Sequence, residues 1–154
     1  MNTDFMKRAI ELSSINIKTG GGPFGAVIVK NGKIIGEGWN KVTSANDPTA
    51  HAEVEAIREA CKNLKTYDLS DAAIYTSCEP CPMCLSAIYW ARLSKIYFAN
   101  TKKDAAAIQF DDDFIYTEIS KPLAERKISM VQIMQSEALE VFKAWKVSDK
   151  KVPY

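Results

Sequence analysis

Two short segments, His51-Ala52-Glu53 and Pro80-Cys81-Pro82-Met83-Cys84, constrain this 154-residue chain more than anything else in it. They hold its single histidine, two of its four cysteines and a carboxylate two positions after the histidine. Each lies where a helix is expected to start: one helix runs from about Thr49 to Leu64, and the other opens at Pro82, a residue suited to the first helical position. Cys81 and Cys84, three apart, project to nearly the same side of a first turn, while His51 approaches from the other helix. The side chains can act together only if the two helix starts meet. Free N–H groups and the helix dipole at both starts favour thiolates and other anions. Imidazole nitrogen and thiolate sulfur are ligands for a borderline-soft cation, above all zinc. Structural zinc sites close with four protein ligands, whereas catalytic ones keep three and leave a position for water. His51, Cys81 and Cys84 with Glu53 to spare therefore point to catalysis, with Glu53 moving the proton of an activated water to a leaving group.

A competing arrangement recruits Cys78 as a fourth ligand, which would make the centre structural and the chain a zinc-stabilised binding module. Pro80 works against it, because Cys78 is expected to end a strand and Cys81 to begin a helix. Cys61 stands among Ala56, Ile57, Ala60 and Leu64 at helical spacing and reads as a small buried hydrophobe.

Composition narrows the partners. Twenty basic against nineteen acidic residues give a net charge of +1, which supplies no overall cationic field for a nucleic-acid backbone. No apolar run approaches the roughly 20 residues a bilayer requires, so the chain reads as cytoplasmic and not membrane-bound. A hydrophobic share of 47% is enough for one folded domain over residues 1–154.

Periodicity supplies the elements. Residues 3–18 carry Phe5, Ala9, Leu12 and Ile15 on one face, with Thr3 as the cap and Gly20 to Gly22 as the stop. Phe24 to Val29 and Lys33 to Asn40 flank Asn31-Gly32, a strong hairpin signal. Ala72 to Thr76 and Lys95 to Ala99 are strands on either side of the Pro82 helix, which continues to about Arg92 and makes them a parallel pair. Short helices at 104–109 and 112–119, a strand at 128–134 and a helix at 137–147 complete the reading. The fold class is α/β: three layers, α/β/α, around a central mixed sheet of about five strands.

The motifs resemble those of the cytidine deaminase-like superfamily of zinc hydrolases. Gly22-Pro23-Phe24-Gly25-Ala26, Asn46 to Glu53, Thr76 to Cys84 and Phe110 to Tyr116 extend the likeness to small bacterial guanine deaminases over nearly the whole chain. The resemblance implies a three-layer α/β/α fold, one zinc per active site and hydrolysis of guanine to xanthine and ammonia. Carried onto matching positions, it implies His51, Cys81 and Cys84 as ligands and Glu53 as proton shuttle. It also implies a substrate-binding group of Asn40, Asp112, Tyr154, Phe24, Trp90 and Ala52. An amide at Asn40 suits a lactam edge, and a carboxylate at Asp112 suits the N–H donors of guanine. Phe24 and Trp90 would wall in the base. Plainer readings stand beside these: Asn40 as a turn cap, Phe24 and Trp90 as core, and Asp111 and Asp113 as helix caps or solvated acids.

The family further implies that residues 148–154, ending in Tyr154, close the pocket and cross to a partner subunit, giving a homodimer with exchanged C-termini. A frayed terminus is the ordinary alternative. The nearest rival activity is tRNA adenosine deamination; guanosine, cytosine and aminated triazines are rival substrates, and a partner scaffold that retains the fold without activity is a further alternative.

Overall fold

The computed structural model describes residues 3–154. Its elements run α1 (Thr3–Ile17), β1 (Gly25–Lys30), β2 (Lys33–Trp39), α2 (Val42–Ala45), α3 (Ala52–Leu64), β3 (Ala73–Cys78), α4 (Pro82–Trp90), β4 (Lys95–Asn100) and α5 (Lys102–Ala107). These belong to a first compact unit ending at Asp113, and a second unit spans Phe114 to Tyr154.

Asn31 and Gly32 both take positive φ, 51° and 73°, and join β1 to β2 in an antiparallel hairpin. Such a turn needs φ > 0 at two successive residues, and Asn-Gly supplies it at low cost. β1 also pairs antiparallel with β3, and β3 pairs parallel with β4 across α4, so the order is β2-β1-β3-β4.

Alternation along the strands separates two cores. Ala26, Ile28 and Ile74 face Ala52, Ala56 and Ala60 of α3 and Ile88 of α4. Val27, Val29 and Tyr75 face the other way, against Phe5, Met6 and Leu12 of α1. Helices thus cover both faces of a mixed sheet, as expected for three α/β/α layers.

The sheet has four strands rather than about five. Residues 128–134 alternate in sequence but form no strand, and Ile128, Val131 and Ile133 lie exposed. Alternation selects a face but provides no ladder: a strand needs a partner edge, and this segment pairs with none among the described residues. Thr3 is not a cap but the first described residue of α1. α4 stops at Trp90, two residues early, with Arg92 in the left-handed region at φ 60°. The polar stretch after Asn40 contains the short α2, for which no apolar period gave notice.

Close packing fixes where α3 begins. A Cβ on Gly36 or Gly38 of β2 would overlap the backbone carbonyl oxygens of Ala56 and Ala52. Glycines on the strand and alanines every fourth residue on the helix therefore let the backbones approach directly. This anchors the first turn of α3 to the sheet. No helix among the described residues is long and apolar enough to cross a membrane.

The second unit comprises α6 (Asp113–Ser120), which starts at the boundary residue, a 3-10 turn at Leu123–Glu125 and α7 (Gln135–Val147). None of its residues is buried.

Candidate metal centre and its surroundings

His51 and Cys81 are the N-caps of α3 and α4, both in extended backbone conformation. Each is held by the turn before it. Asp47 Oδ1 accepts from the Thr49 amide at 2.8 Å and from its hydroxyl at 2.7 Å, and the His51 amide donates to the Thr49 carbonyl at 2.8 Å. Glu55 clamps the same loop from outside, pairing with Lys41 and Arg58 at 2.8 Å each. On the other segment, Glu79 receives the Lys102 amide at 3.0 Å and gives its own N–H to the Asn100 carbonyl at 2.8 Å, pinning the Pro80 turn to the end of β4.

These turns bring the three ligand side chains together. His51 Nδ1 lies 3.5 Å from the sulfurs of both Cys81 and Cys84, and all three ligand atoms fall within 4.8 Å of one another. Zinc bonds of about 2.3 Å to sulfur and 2.0 Å to nitrogen, arranged tetrahedrally, give N···S edges of about 3.5 Å. The residues therefore fit a zinc ion. Cys84 is fully buried, whereas His51 and Cys81 are half-buried.

The thiols behave as a pair. The S–H of Cys84 donates to Cys81 and holds the Cys81 thiol down to about 4, with His51 adding to the effect, and Cys84 moves up correspondingly. Cys81 is thus the more acidic thiol of the pair, and both thiols must give up their protons to hold a metal. The hydrogen bond to Cys81 pushes His51 above its ordinary range. Among the described residues the ligand set is His51, Cys81 and Cys84. Cys78 stands apart: its Sγ donates to the Thr101 carbonyl at 3.7 Å, and burial raises its thiol to about 11. Cys61 is half-buried against the α3 side of the core.

Glu53, in the first turn of α3, is 6% exposed and hydrogen-bonded to Cys84. Burial pushes its carboxyl above the usual range, which favours a group able to carry a proton.

The remaining sequence-predicted residues fall in different places. Asn40 is buried just after β2; its Oδ1 accepts from the Val42 amide at 3.2 Å, which is the turn-capping bond. Phe24 meets Phe110 edge-to-face at 4.9 Å. Asp112 is partly buried and close enough to Cys81 for the two charges to repel, although burial is the main cause of its raised pKa. Asp111 accepts from the Asp113 amide at 3.0 Å, a turn just ahead of α6. Ala52 is buried at the first position of α3. Trp90 sits at the far end of α4 from Cys81, exposed beside Ser86, Tyr89 and Arg92. Tyr154 is exposed at the end of the second unit.

Sequence reasoning missed several supporting residues. Asn16 donates from Nδ2 to the carbonyls of Gly22 and Asn40 at 2.8 Å each, bracing the Asn40 loop; a polar residue four places after Leu12 on the apolar face of α1 is the signal that could have revealed it. Thr76 gave a weaker signal, a hydroxyl at an inward strand position.

Comparison with known proteins agrees with this geometry. Residues 1–100 match the cytidine and deoxycytidylate deaminase zinc-binding region. Over 151 residues the chain is 56% identical to guanine deaminase of Bacillus subtilis, spanning 97% of each chain. The X-ray structure of guanine deaminase from Bacillus subtilis matches with a TM-score of 0.96 at 56% identity, over 100% of this chain and 99% of that one. A tRNA-specific adenosine deaminase of Buchnera aphidicola subsp. Baizongia pistaciae is 37% identical over 149 residues, 96% of this chain and 90% of that protein. With its ligand triangle, buried acid and layered sheet, the chain belongs to the cytidine and deoxycytidylate deaminase zinc-binding family.

Proposed function

We propose that this chain hydrolyses the exocyclic amine of guanine, releasing xanthine and ammonia. The observation that carries the reading is the His51, Cys81 and Cys84 triangle with 3.5 Å N···S edges and buried Glu53 beside it. It sits in a chain 56% identical to a guanine deaminase across nearly its whole length. His51, Cys81 and Cys84 hold one zinc. Bound to these three residues, zinc would supply Lewis acidity, which can bring the pKa of water from 15.7 to about 7. Glu53 takes a proton from the attacking water and delivers it to the departing nitrogen, so a C–O bond replaces the C–N bond at C2 of the purine. The Asn40 amide reads the lactam edge, the Asp112 carboxylate accepts from ring N–H groups, and Ala52, between His51 and Glu53, offers its backbone at the start of α3. Phe24, braced by Phe110, walls in the base, whereas Trp90, at the far end of α4 from Cys81, stands away from the metal centre of its own chain.

Ammonia release from guanine, guanosine, adenine, cytosine and tRNA, with and without chelator, tests the assignment. Guanine should react alone or by far the fastest, and chelation should abolish the reaction. Turnover of tRNA alone would overturn the pocket built on Asn40, Asp112 and Tyr154.

The functional form is a homodimer with exchanged C-termini, in which the tail 148–154 closes the pocket of a second copy. In support, no residue of α7 is buried, and Phe142 and Val147 are 73% and 83% exposed. An apolar helix face without a core partner calls for another surface. The particle in solution should have about twice the 17.1 kDa chain mass. Deleting Val152 to Tyr154 should lower guanine turnover about tenfold or more with zinc content unchanged; unaltered kinetics would favour a frayed end. A cytoplasmic setting fits the four free cysteines, which a reducing compartment preserves.

A further inference from the structure

Thr76 lies on β3, on the face shared with Ile74 and Cys78 and covered by α3. It is 1% exposed. Valine would fill this position with nearly the same shape and no polar atom to desolvate, and β-branched apolar residues are the usual choice on a buried strand face. A hydroxyl buried here is costly unless it is paired. Its partner is Glu53: Thr76 Oγ1 donates to Glu53 Oε1 at 3.2 Å, linking the centre of the sheet to the first turn of α3.

Glu53 reaches its position through three rotatable bonds, and proton transfer tolerates little misplacement of the carboxylate. Thr76 touches the carboxylate from the sheet. A threonine hydroxyl has a property that suits this place. It donates to a carboxylate and, after turning its hydrogen, accepts from a carboxylic acid, so the same contact serves both states of a group that gains and loses a proton. No change in charge accompanies the turn.

We propose that Thr76 is a positioning residue, its hydroxyl fixing one oxygen of Glu53 so that the other stays available to the substrate and its attacking water. The inference rests on the reading of Glu53 as proton shuttle. Thr76 acts through Glu53, the side chain its hydroxyl contacts.

Two single substitutions separate this role from simple packing. Thr76→Val keeps the shape and removes the hydroxyl; Thr76→Ser keeps the hydroxyl and removes a methyl group. A packing role predicts that valine is neutral and serine harmful, whereas positioning predicts the reverse for catalysis. With the full-length, zinc-loaded protein, Thr76→Val should lower kcat for guanine about tenfold to a hundredfold, the range for a lost hydrogen bond to a charged group. KM and zinc content should stay unchanged. Thr76→Ser should keep kcat within about threefold of the parent, even if its Tm falls. An unchanged kcat in Thr76→Val, an equal loss in both variants, or loss of zinc from Thr76→Val would each overturn the proposal. Glu53→Gln measured alongside separates the two levels: a fully active Glu53→Gln sinks the shuttle itself, while an inactive Glu53→Gln beside a fully active Thr76→Val sinks only the role of Thr76.

Discussion

Replacing Glu53 by glutamine should cut guanine turnover by about a thousandfold or more while leaving the fold and the zinc content intact. The substitution preserves the shape of the side chain and removes its ability to accept and return a proton. Stability should not suffer, because Glu53 is only 6% exposed and its ionised form is disfavoured by burial. A neutral amide in the same place carries no such penalty. The sign of the pH effect follows. The Glu53 carboxyl titrates higher in the fold than its ordinary 4.5, so in the metal-free protein its favourable contribution is complete below that pH and is lost as pH rises through the higher folded value. Metal-free parent protein should therefore lose stability relative to Glu53→Gln as pH climbs from 4.5, which thermal melts at several pH values would reveal. Turnover by Glu53→Gln at the parental rate would remove the proton-transfer role.

The second large effect concerns the ligands. Cys84→Ser should lower zinc affinity more than a hundredfold, beyond the range seen when only a group supporting a ligand is changed, and guanine turnover should fall to background. Cys84 is fully buried and its sulfur forms one edge of the triangle, so a shorter, harder oxygen both mismatches the ion and leaves a gap. Chelation of the parent should have the same effect on activity and should lower Tm, because an ion bound only by the folded chain stabilises it by about 2.7 kcal/mol at a hundred times its Kd. Added zinc should restore both in the parent and neither in Cys84→Ser. Cys78→Ser is the matched control: its thiol is turned to the Thr101 carbonyl, and zinc content should persist.

What could be read from the sequence depended on range. His51 with Glu53, and Cys81 with Cys84, are each local pairs whose chemistry is visible in a few residues. The Asn31-Gly32 turn and the apolar faces of α1 and α3 are local in the same way. Contacts that couple distant residues were invisible: Thr76 to Glu53 spans 23 residues, Asn16 to Asn40 spans 24, and Lys41 to Glu55 spans 14. No period or motif announces that a strand hydroxyl will meet a helix carboxylate. The misread strand at 128–134 shows the complementary failure. Its alternation is real, but alternation describes a surface and strand formation requires an edge to pair with. The start of α3 at Ala52 rather than Thr49 has a local cause that apolar spacing overlooks, since Asp47 draws Thr49 into a turn of its own.

Hydrolysis at this centre requires a zinc held by three protein ligands with its fourth position left to water. X-ray absorption at the zinc edge of the loaded, substrate-free protein measures this directly. Two sulfurs at about 2.3 Å and two lighter atoms at about 2.0 Å are predicted, one being the His51 nitrogen and the other an oxygen from solvent. Three sulfurs, with Cys78 drawn into the sphere, would contradict it.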